Sequence, residues 1–174
     1  MNLKNTIVLG MVAVLGFTGV VHNINAQTAV KKQGVVRICS EKEARDKVLK
    51  KYSNATTLNE KQLMELLSAV GFKGEGLKMA WAIAMAESNG RPMAFNGNRK
   101  TGDSSYGIFQ INMIGDLGPD RREKFDLDYN SDLLNPVKNA QIAFHMTEGG
   151  KNWASWKNGQ NIRVKGFLAE FPTV

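Results

Sequence analysis

The chain of 174 residues contains a single cysteine, Cys39, and only two histidines. No disulfide can form within the chain, so the fold must rely on its hydrophobic core. Pairing between two molecules and burial of the thiol are both open, and we expect burial. No spacing of His, Cys and Asp resembles a metal site, and no glycine-rich segment continues into the Lys-Ser/Thr of a phosphate loop. His145 lacks an evident serine partner for a nucleophilic triad. We therefore expect neither a metal nor a cofactor.

Long apolar runs are also scarce. Residues 6–21 form one uncharged stretch of 16 residues that three glycines dilute, whereas a helix that crosses a bilayer needs roughly 20 strongly apolar residues. Lys4 precedes this stretch, and Ala26 offers a small residue for cleavage. We therefore expect residues 1–26 to be a cleavable signal peptide of an exported protein. An uncleaved N-terminal membrane segment is the alternative.

Positive charge is concentrated near the N-terminus. The net charge of the chain is +7, and residues 27–57 alone carry a net +5 from eight basic and three acidic side chains. Such a stretch is either a solvated face or a surface that attracts a polyanion, namely a bacterial envelope, a membrane surface or nucleic acid. Aromatic residues do not alternate with the basic ones, so we expect no nucleic acid partner. The sequence thus divides into residues 1–26, a basic linker with a short helix over residues 27–57, and a domain over residues 58–174.

Helix-start signals open the ordered part of the chain. Ser40 and Glu43 have the spacing of a capping box, which predicts a short helix that runs to about Tyr52. Thr57 and Glu60 repeat the pattern and predict a second helix. The inward side chains of this second helix, and the glycine expected to end it, are Leu63, Leu66, Leu67, Val70 and Gly71.

The residue composition of the chain changes in its second half. Residues 95–105 are rich in turn formers and lead into the short strand-like run Tyr106–Met113, which predicts a small hairpin or irregular β region. One or two helical turns are expected over Leu117–Phe125, a helix from the Asn135-Pro136 pair to Gly149, and an amphipathic stretch over Asn161–Phe171. The pattern predicts a mostly helical α+β domain.

One carboxylate lies at the end of a nearly uncharged helical run over Leu77–Glu87. One turn back on the same face of the helix lie Ala80, Ile83 and Ala84. A carboxylate that faces apolar surface is poorly solvated, which raises its pKa. A proton retained towards neutral pH is what a general acid needs to break a glycosidic bond. Without further signals, the alternative for Glu87 is a solvated helix end.

The order and spacing of several motifs resemble the lysozyme superfamily. Ala86-Glu87-Ser88 is followed by a polar loop and then by Asp103-Ser-Ser-Tyr-Gly-Ile-Phe-Gln-Ile-Asn112. The later landmarks Asn135-Pro136 and Trp153 to Trp156 are similar to those of lytic transglycosylases, especially the modules of bacterial secretion systems and phage tails. The resemblance covers about residues 75–157. It implies a helical lobe and a small β region that flank a cleft, with peptidoglycan glycan strands as the partner.

The resemblance also implies roles for single residues. Glu87 matches the catalytic acid of the family. Gly107 to Gln110 match a segment that lines the cleft, where Gln110 would form a hydrogen bond with the sugar or its N-acetyl group. Tyr106 and Asn112 flank that segment and would add polar contacts. By contrast, the resemblance and a strong core tendency favour packing in the core for Phe109, Trp153 and Trp156.

The sequence departs from chicken-type lysozymes at Ser105. Those lysozymes carry their second catalytic carboxylate at this place, and a hydroxyl cannot replace it as a nucleophile. We therefore count Ser105 among the substrate-binding residues. Asp103 is a candidate second acid, although a turn-forming role is equally open.

The resulting prediction is an exported, cofactor-free enzyme that cleaves the β-1,4 bond between N-acetylmuramic acid and N-acetylglucosamine. A single Glu87 would act as acid and then as base on the C6 hydroxyl of the muramic acid, in a non-hydrolytic transglycosylation. A hydrolytic muramidase is the first alternative, and a non-catalytic protein that binds or assembles at the cell wall is the second. The enzyme would be periplasmic, secreted or membrane-tethered facing the wall, with contact to membrane or envelope through its basic N-terminal segment.

Overall fold

The computed structural model describes residues 37–98, 100–156 and 162–172. The chain forms two compact units, residues 1–44 and residues 45–174. The predicted signal peptide and residues 27–36 of the basic segment lie outside the described residues. Within the described part of the chain, no helix is both long and apolar enough to cross a membrane.

In the first unit, residues 37–44 are helical and all of them are exposed. Cys39 is exposed with them, so the prediction of a buried thiol is wrong. No apolar surface of this unit covers the residue among the described positions. The predicted start of this helix at Ser40 is also wrong, because residues 37–39 are already helical. The Ser40 hydroxyl instead donates to the Arg37 carbonyl one turn back.

The second unit begins with helical residues 45–52 (α1), and the buried Tyr52 belongs to its core. Helix α2 spans Glu60–Val70 and is capped by Asn59, whose side chain accepts from the Gln62 amide while the Gln62 side chain accepts from the Asn59 amide. The capping box therefore lies two residues after the predicted pair of Thr57 and Glu60. The predicted inner face is confirmed as buried and Gly71 as the C-cap.

Helix α3 spans Gly74–Ser88 and lies at the centre of the unit. Its residues from Ala80 to Ala86 are all buried, because α2 and α6 pack against it. Asn89 ends the helix in a left-handed conformation with φ of 54°. Asparagine tolerates that conformation better than most residues.

A three-stranded antiparallel sheet of order β1-β2-β3 follows, with strands of two residues each: Phe95–Asn96, Ser105–Tyr106 and Ile111–Asn112. The predicted strand-like run Tyr106–Met113 is thus divided by a tight turn over residues 107–110. The paired residues are Phe95 with Tyr106, Asn96 with Ser105, Ser105 with Asn112, and Tyr106 with Ile111.

The remaining elements are α4 (Leu117–Phe125), a 3-10 helix (Asn130–Leu134), α5 (Pro136–Met146) and α6 (Ile162–Ala169). The side chain of Asn135 accepts from two amides at the start of α5, which confirms the predicted cap with proline next to it. The helices and the small sheet confirm the prediction of a mostly helical α+β fold.

Candidate active site

Glu87 is the second-last residue of α3 and is half-buried. The predicted apolar surface one turn back is present, since Ala80, Ile83 and Ala84 are buried. Burial raises the pKa of the Glu87 carboxyl above its ordinary value, Arg163 opposes this rise, and Asp103 adds to it. The carboxyl therefore keeps its proton to a higher pH than a solvated glutamic acid does.

The turn that follows β2 is fixed by Asn139, a fully buried residue of α5. The Asn139 Nδ2 donates to the carbonyls of Tyr106 and Leu133, each at 2.9 Å. Its Oδ1 accepts from the Phe109 amide at 2.9 Å. One amide side chain thus satisfies three backbone groups away from water, as buried polar groups require.

Two further side chains hold the same turn. The buried Ser88 hydroxyl, at the end of α3, donates to the Ile108 carbonyl at 2.8 Å. The Trp156 indole donates to the Phe109 carbonyl at 2.9 Å. The turn is therefore tied to the end of α3 that carries Glu87, as well as to α5.

Gly107 is the position in this turn that cannot carry a side chain. Its φ is +75°, and an added Cβ would lie 2.3 Å from both Asn139 Nδ2 and the Leu133 carbonyl oxygen. A glycine is therefore needed here for its backbone conformation and for the close approach of Asn139.

A cleft of about 300 Å³ opens beside Glu87. It collects five of the six site residues predicted from the sequence, which are Glu87, Asp103, Ser105, Gln110 and Asn112. Five further side chains border it, together with Ile111, and these are Arg121, Met146, Ala154, Ser155 and Trp156. Polar side chains and the α3 carboxyl border the cleft together, an arrangement suited to proton transfer to a bound polar ligand.

Residues 64–158 match the sequence model of a family described as "Lysozyme like domain". The chain belongs to this family. No curated protein and no solved structure matches the chain significantly. The matched range of the lysozyme-like domain contains Glu87 and every residue that borders the cleft. Membership indicates a peptidoglycan-cleaving enzyme in general.

Tyr106 is the predicted site residue that does not border this cleft. Successive residues of a strand point to opposite faces, so Tyr106 and Ser105 of β2 face different ways. Tyr106 instead packs against Phe95, with ring centroids 4.8 Å apart, and borders a second groove together with Arg122 and Tyr129. The predicted sugar contact of Tyr106 would require a ligand that reaches this second groove.

Asp103 lies in the cleft with both carboxylate oxygens engaged. Its Oδ1 accepts from the Ser105 hydroxyl at 2.6 Å, and its Oδ2 accepts from the Asn96 Nδ2 at 2.6 Å. These bonds join β1, β2 and the loop between them. Asp103 thus holds the loop, and its charge also raises the pKa of the Glu87 carboxyl, whereas its role as a second acid stays a prediction.

Two of the side chains predicted to contact the sugar, Gln110 and Asn112, already form hydrogen bonds within the lysozyme-like domain. The Gln110 Nε2 donates to the carbonyls of Ala94 and Gly107, at 3.2 and 2.9 Å. A ligand would therefore meet the Gln110 Oε1, which accepts but does not donate. Asn112 uses its Oδ1 to accept from the Ile114 amide at 2.9 Å, which leaves its amide nitrogen as the donor.

Sequence reasoning assigned no site role to the other six residues that border the cleft, and Trp156 and Arg121 are two of these six. Trp156 was expected in the core and is buried there, but it also borders the cleft. Phe109 is buried as expected, whereas Trp153 is only half-buried and stacks on Phe72. Arg121 carried no signal in the sequence, because its place beside the cleft depends on how α4 packs. Across the described positions, no group of His, Cys, Asp or Glu could hold a metal ion.

Proposed function

We propose that this lysozyme-like domain cleaves the β-1,4 bond between N-acetylmuramic acid and N-acetylglucosamine by non-hydrolytic transglycosylation. The observation that carries the proposal is the Glu87 carboxyl. Its half-buried position at the apolar end of α3, where burial raises its pKa, supports a role as general acid.

In the first step, Glu87 donates its proton to the glycosidic oxygen as the bond from that oxygen to C1 of the muramic acid breaks. The N-acetylglucosamine part leaves with this proton as a hydroxyl. Positive charge develops at C1, and the substrate's own N-acetyl group assists, as in other enzymes that lack a second catalytic carboxylate.

In the second step, the C6 hydroxyl of the same muramic acid attacks C1, and the Glu87 carboxylate takes up its proton. The product is a 1,6-anhydro sugar, and Glu87 returns to its protonated state. No water is consumed. Ser105 supports this scheme, because a hydroxyl bonded to Asp103 stands where chicken-type lysozymes use a carboxylate.

A hydrolytic muramidase is the second candidate, and Asp103 is the observation that favours it. Its carboxylate borders the same cleft as Glu87 and acts on the pKa of Glu87. In a hydrolytic reaction it would orient a water or stabilise the positive charge at C1. Product mass separates the two candidates, since the anhydro product is one water lighter than the hydrolytic one. Exclusive release of reducing-end muramic acid would refute the transglycosylase.

Replacement of Glu87 by Gln tests for catalysis against the third candidate, a wall-binding protein without turnover. The proposal expects Glu87→Gln to abolish release of soluble sugar from purified peptidoglycan, while sedimentation with the wall persists. The matched control is Glu75→Gln, because Glu75 lies on the same helix, is exposed and pairs with Lys78. Release that survives in Glu87→Gln would refute the assignment of Glu87.

The proposed site of action is the cell wall outside the cytoplasm. The uncharged run before Ala26 supports export, and the basic stretch of residues 27–57 supports contact with an anionic envelope. Mass spectrometry of the protein recovered from the expressing cell tests the first point. A chain that retains Met1 in the cytoplasm would refute export.

A further inference from the structure

Arg121 is a half-buried cation beside the candidate active site. It belongs to α4 and borders the same cleft as Glu87 and Asp103. Its Nη1 donates to the main-chain carbonyl of Asn112, at the end of β3. The Arg121 side chain is partly withdrawn from water, and this burial lowers the pKa of its guanidinium.

No acidic side chain pairs with this cation. All 16 Asp and Glu residues of the chain lie among the described residues. The ion pairs formed by described residues join Lys51 with Glu65, Lys78 with Glu75 and Lys138 with Asp132, and none includes Arg121. The cleft therefore holds a partly desolvated positive charge with which no Asp or Glu side chain forms an ion pair.

The neighbouring arginine shows a contrasting arrangement. The Nη1 of Arg122 donates to the Asn130 side chain at 2.5 Å, and Arg122 borders the second groove with Asp128 rather than the cleft. The two arginines thus have similar chemistry and adjacent positions, but only Arg121 borders the cleft.

A guanidinium has five N–H donors, and one carbonyl uses only a small part of them. Holding a charge away from water is costly unless an opposite charge compensates for it. A carboxylate matches the planar fork of arginine, through two parallel hydrogen bonds. The missing partner of Arg121 is therefore expected on the ligand.

We propose that Arg121 binds a carboxylate of the glycan strand and thereby fixes which sugar stands at Glu87. This inference rests on the proposed function. Two sources supply such a carboxylate: the lactyl group of N-acetylmuramic acid in strands without peptides, and the acidic groups of the stem peptide where one is attached.

The placement of charge in the cleft supports a role for Arg121 in setting which glycosidic bond of the strand lies at Glu87. Glu87 and Asp103 repel a carboxylate when ionised, whereas Arg121 attracts it. Muramic acid occurs at every second sugar, so one anchored carboxylate decides which of the two alternating glycosidic bonds meets Glu87. Arg121 is in this sense a specificity-determining residue.

The test changes the charge on both partners. Peptide-free strands are compared with the same strands after amidation of their lactyl carboxylates, using the full-length wild type, Arg121→Gln, Arg121→Lys and the control Arg122→Gln. Charge-assisted hydrogen bonds contribute about 1.5–3 kcal/mol, so Arg121→Gln is expected to raise KM on charged strands by about tenfold or more. The KM of Arg121→Gln is expected to be the same on amidated strands as on charged strands. Arg121→Lys should recover part of the difference, and Arg122→Gln should behave as the wild type.

Peptide-bearing strands form the second arm of the experiment. An effect of Arg121→Gln confined to peptide-free strands assigns the lactyl carboxylate, and an effect confined to peptide-bearing strands assigns the stem peptide. An Arg121→Gln variant that loses activity equally on charged and amidated strands of both kinds would instead show that Arg121 serves only to hold the Asn112 carbonyl.

The substrate change also tests the inference if Arg121→Gln fails to fold. A wild type that is indifferent to the carboxylates of both strand types overturns it without any variant. Titration calorimetry on Glu87→Gln with the same strands gives the charge dependence of Kd without turnover. Failure of the proposed function appears as a wild type that releases no sugar, whereas failure of this inference appears as cleavage or binding that ignores charge.

Discussion

Replacement of Asn139 by Ala is expected to be the most informative change in the support of the site. Asn139 is fully buried and forms three hydrogen bonds of 2.9 Å, with the Tyr106 and Leu133 carbonyls and with the Phe109 amide. The alanine variant leaves these three backbone groups without a partner away from water. At about 1 kcal/mol for each buried hydrogen bond, the free energy of unfolding should fall by about 3 kcal/mol.

The expected change in Tm follows from the size of the unit. The unfolding entropy is about 2.1 cal/mol/K per residue. For the unit of residues 45–174, a loss of about 3 kcal/mol therefore lowers the Tm by about 11 °C. Thermal unfolding followed by circular dichroism measures this shift directly.

Asn135→Ala is the matched control on the same helix. The Asn135 side chain accepts from two amides, of Val137 and Lys138, but it lies at the partly exposed start of α5. Loss of such a cap costs about 1 kcal/mol, or about 4 °C by the same conversion. If Asn139→Ala lowers the Tm no more than Asn135→Ala does, the idea that Asn139 holds the turn is refuted.

Three further predictions follow from the site. Burial raises the pKa of the Glu87 carboxyl in the folded state above its value in the unfolded state, so the charged form opposes folding. In urea titrations near pH 7, Glu87→Gln should therefore have a higher free energy of unfolding than the wild type. The difference between the two should close as the pH falls from the folded pKa to the unfolded pKa. Asp103→Asn removes a negative charge that raises the pKa of Glu87, so the alkaline limb of the pH profile of kcat/KM should move to lower pH, and an unmoved limb would contradict this coupling. Gly107→Ala places a Cβ 2.3 Å from Asn139 Nδ2, whereas the Cβ of Gly115→Ala has no atom within 4 Å, although φ is positive at both positions. In chemical denaturation the free energy of unfolding should fall by at least about 3 kcal/mol for Gly107→Ala and by about 1–2 kcal/mol for Gly115→Ala.

The environment of Glu87 could be predicted from the sequence because it is set mainly by its own helix. The apolar residues one turn back, Ile83 and Ala84, lie on the same face by helical geometry alone. The capped start of α5 was equally local, since Asn135 and the following proline act within one turn. Both predictions used only residues that lie within about one helical turn of each other.

Other features depended on choices that local patterns leave open. Thr57 and Asn59 both favour caps, and each is followed three residues later by a partner for a capping box. The chain uses Asn59 with Gln62. The direction of Tyr106 was likewise decided by where the turn interrupts the strand-like run, since a shift of one residue reverses the face of every side chain.

The position of Arg121 could not be predicted because it depends on distant parts of the chain. Its contact with the Asn112 carbonyl exists only after α4 packs beside β3. An arginine in a short, polar helix carries no periodic signal that separates it from a solvated one. The next residue, Arg122, is equally half-buried but borders the second groove, and sequence alone treats the two arginines alike.

Most main-chain groups of the Tyr106–Gln110 turn are already engaged with other parts of the chain, through Asn139, Ser88 and Trp156. Few of these main-chain groups remain to form hydrogen bonds with a glycan strand. We therefore expect preference for one wall chemistry over another to depend on the rim of the cleft, meaning side chains that border it, such as Ser155 and Arg121. Libraries that randomise this rim while leaving the turn intact offer a direct route to altered muralytic specificity.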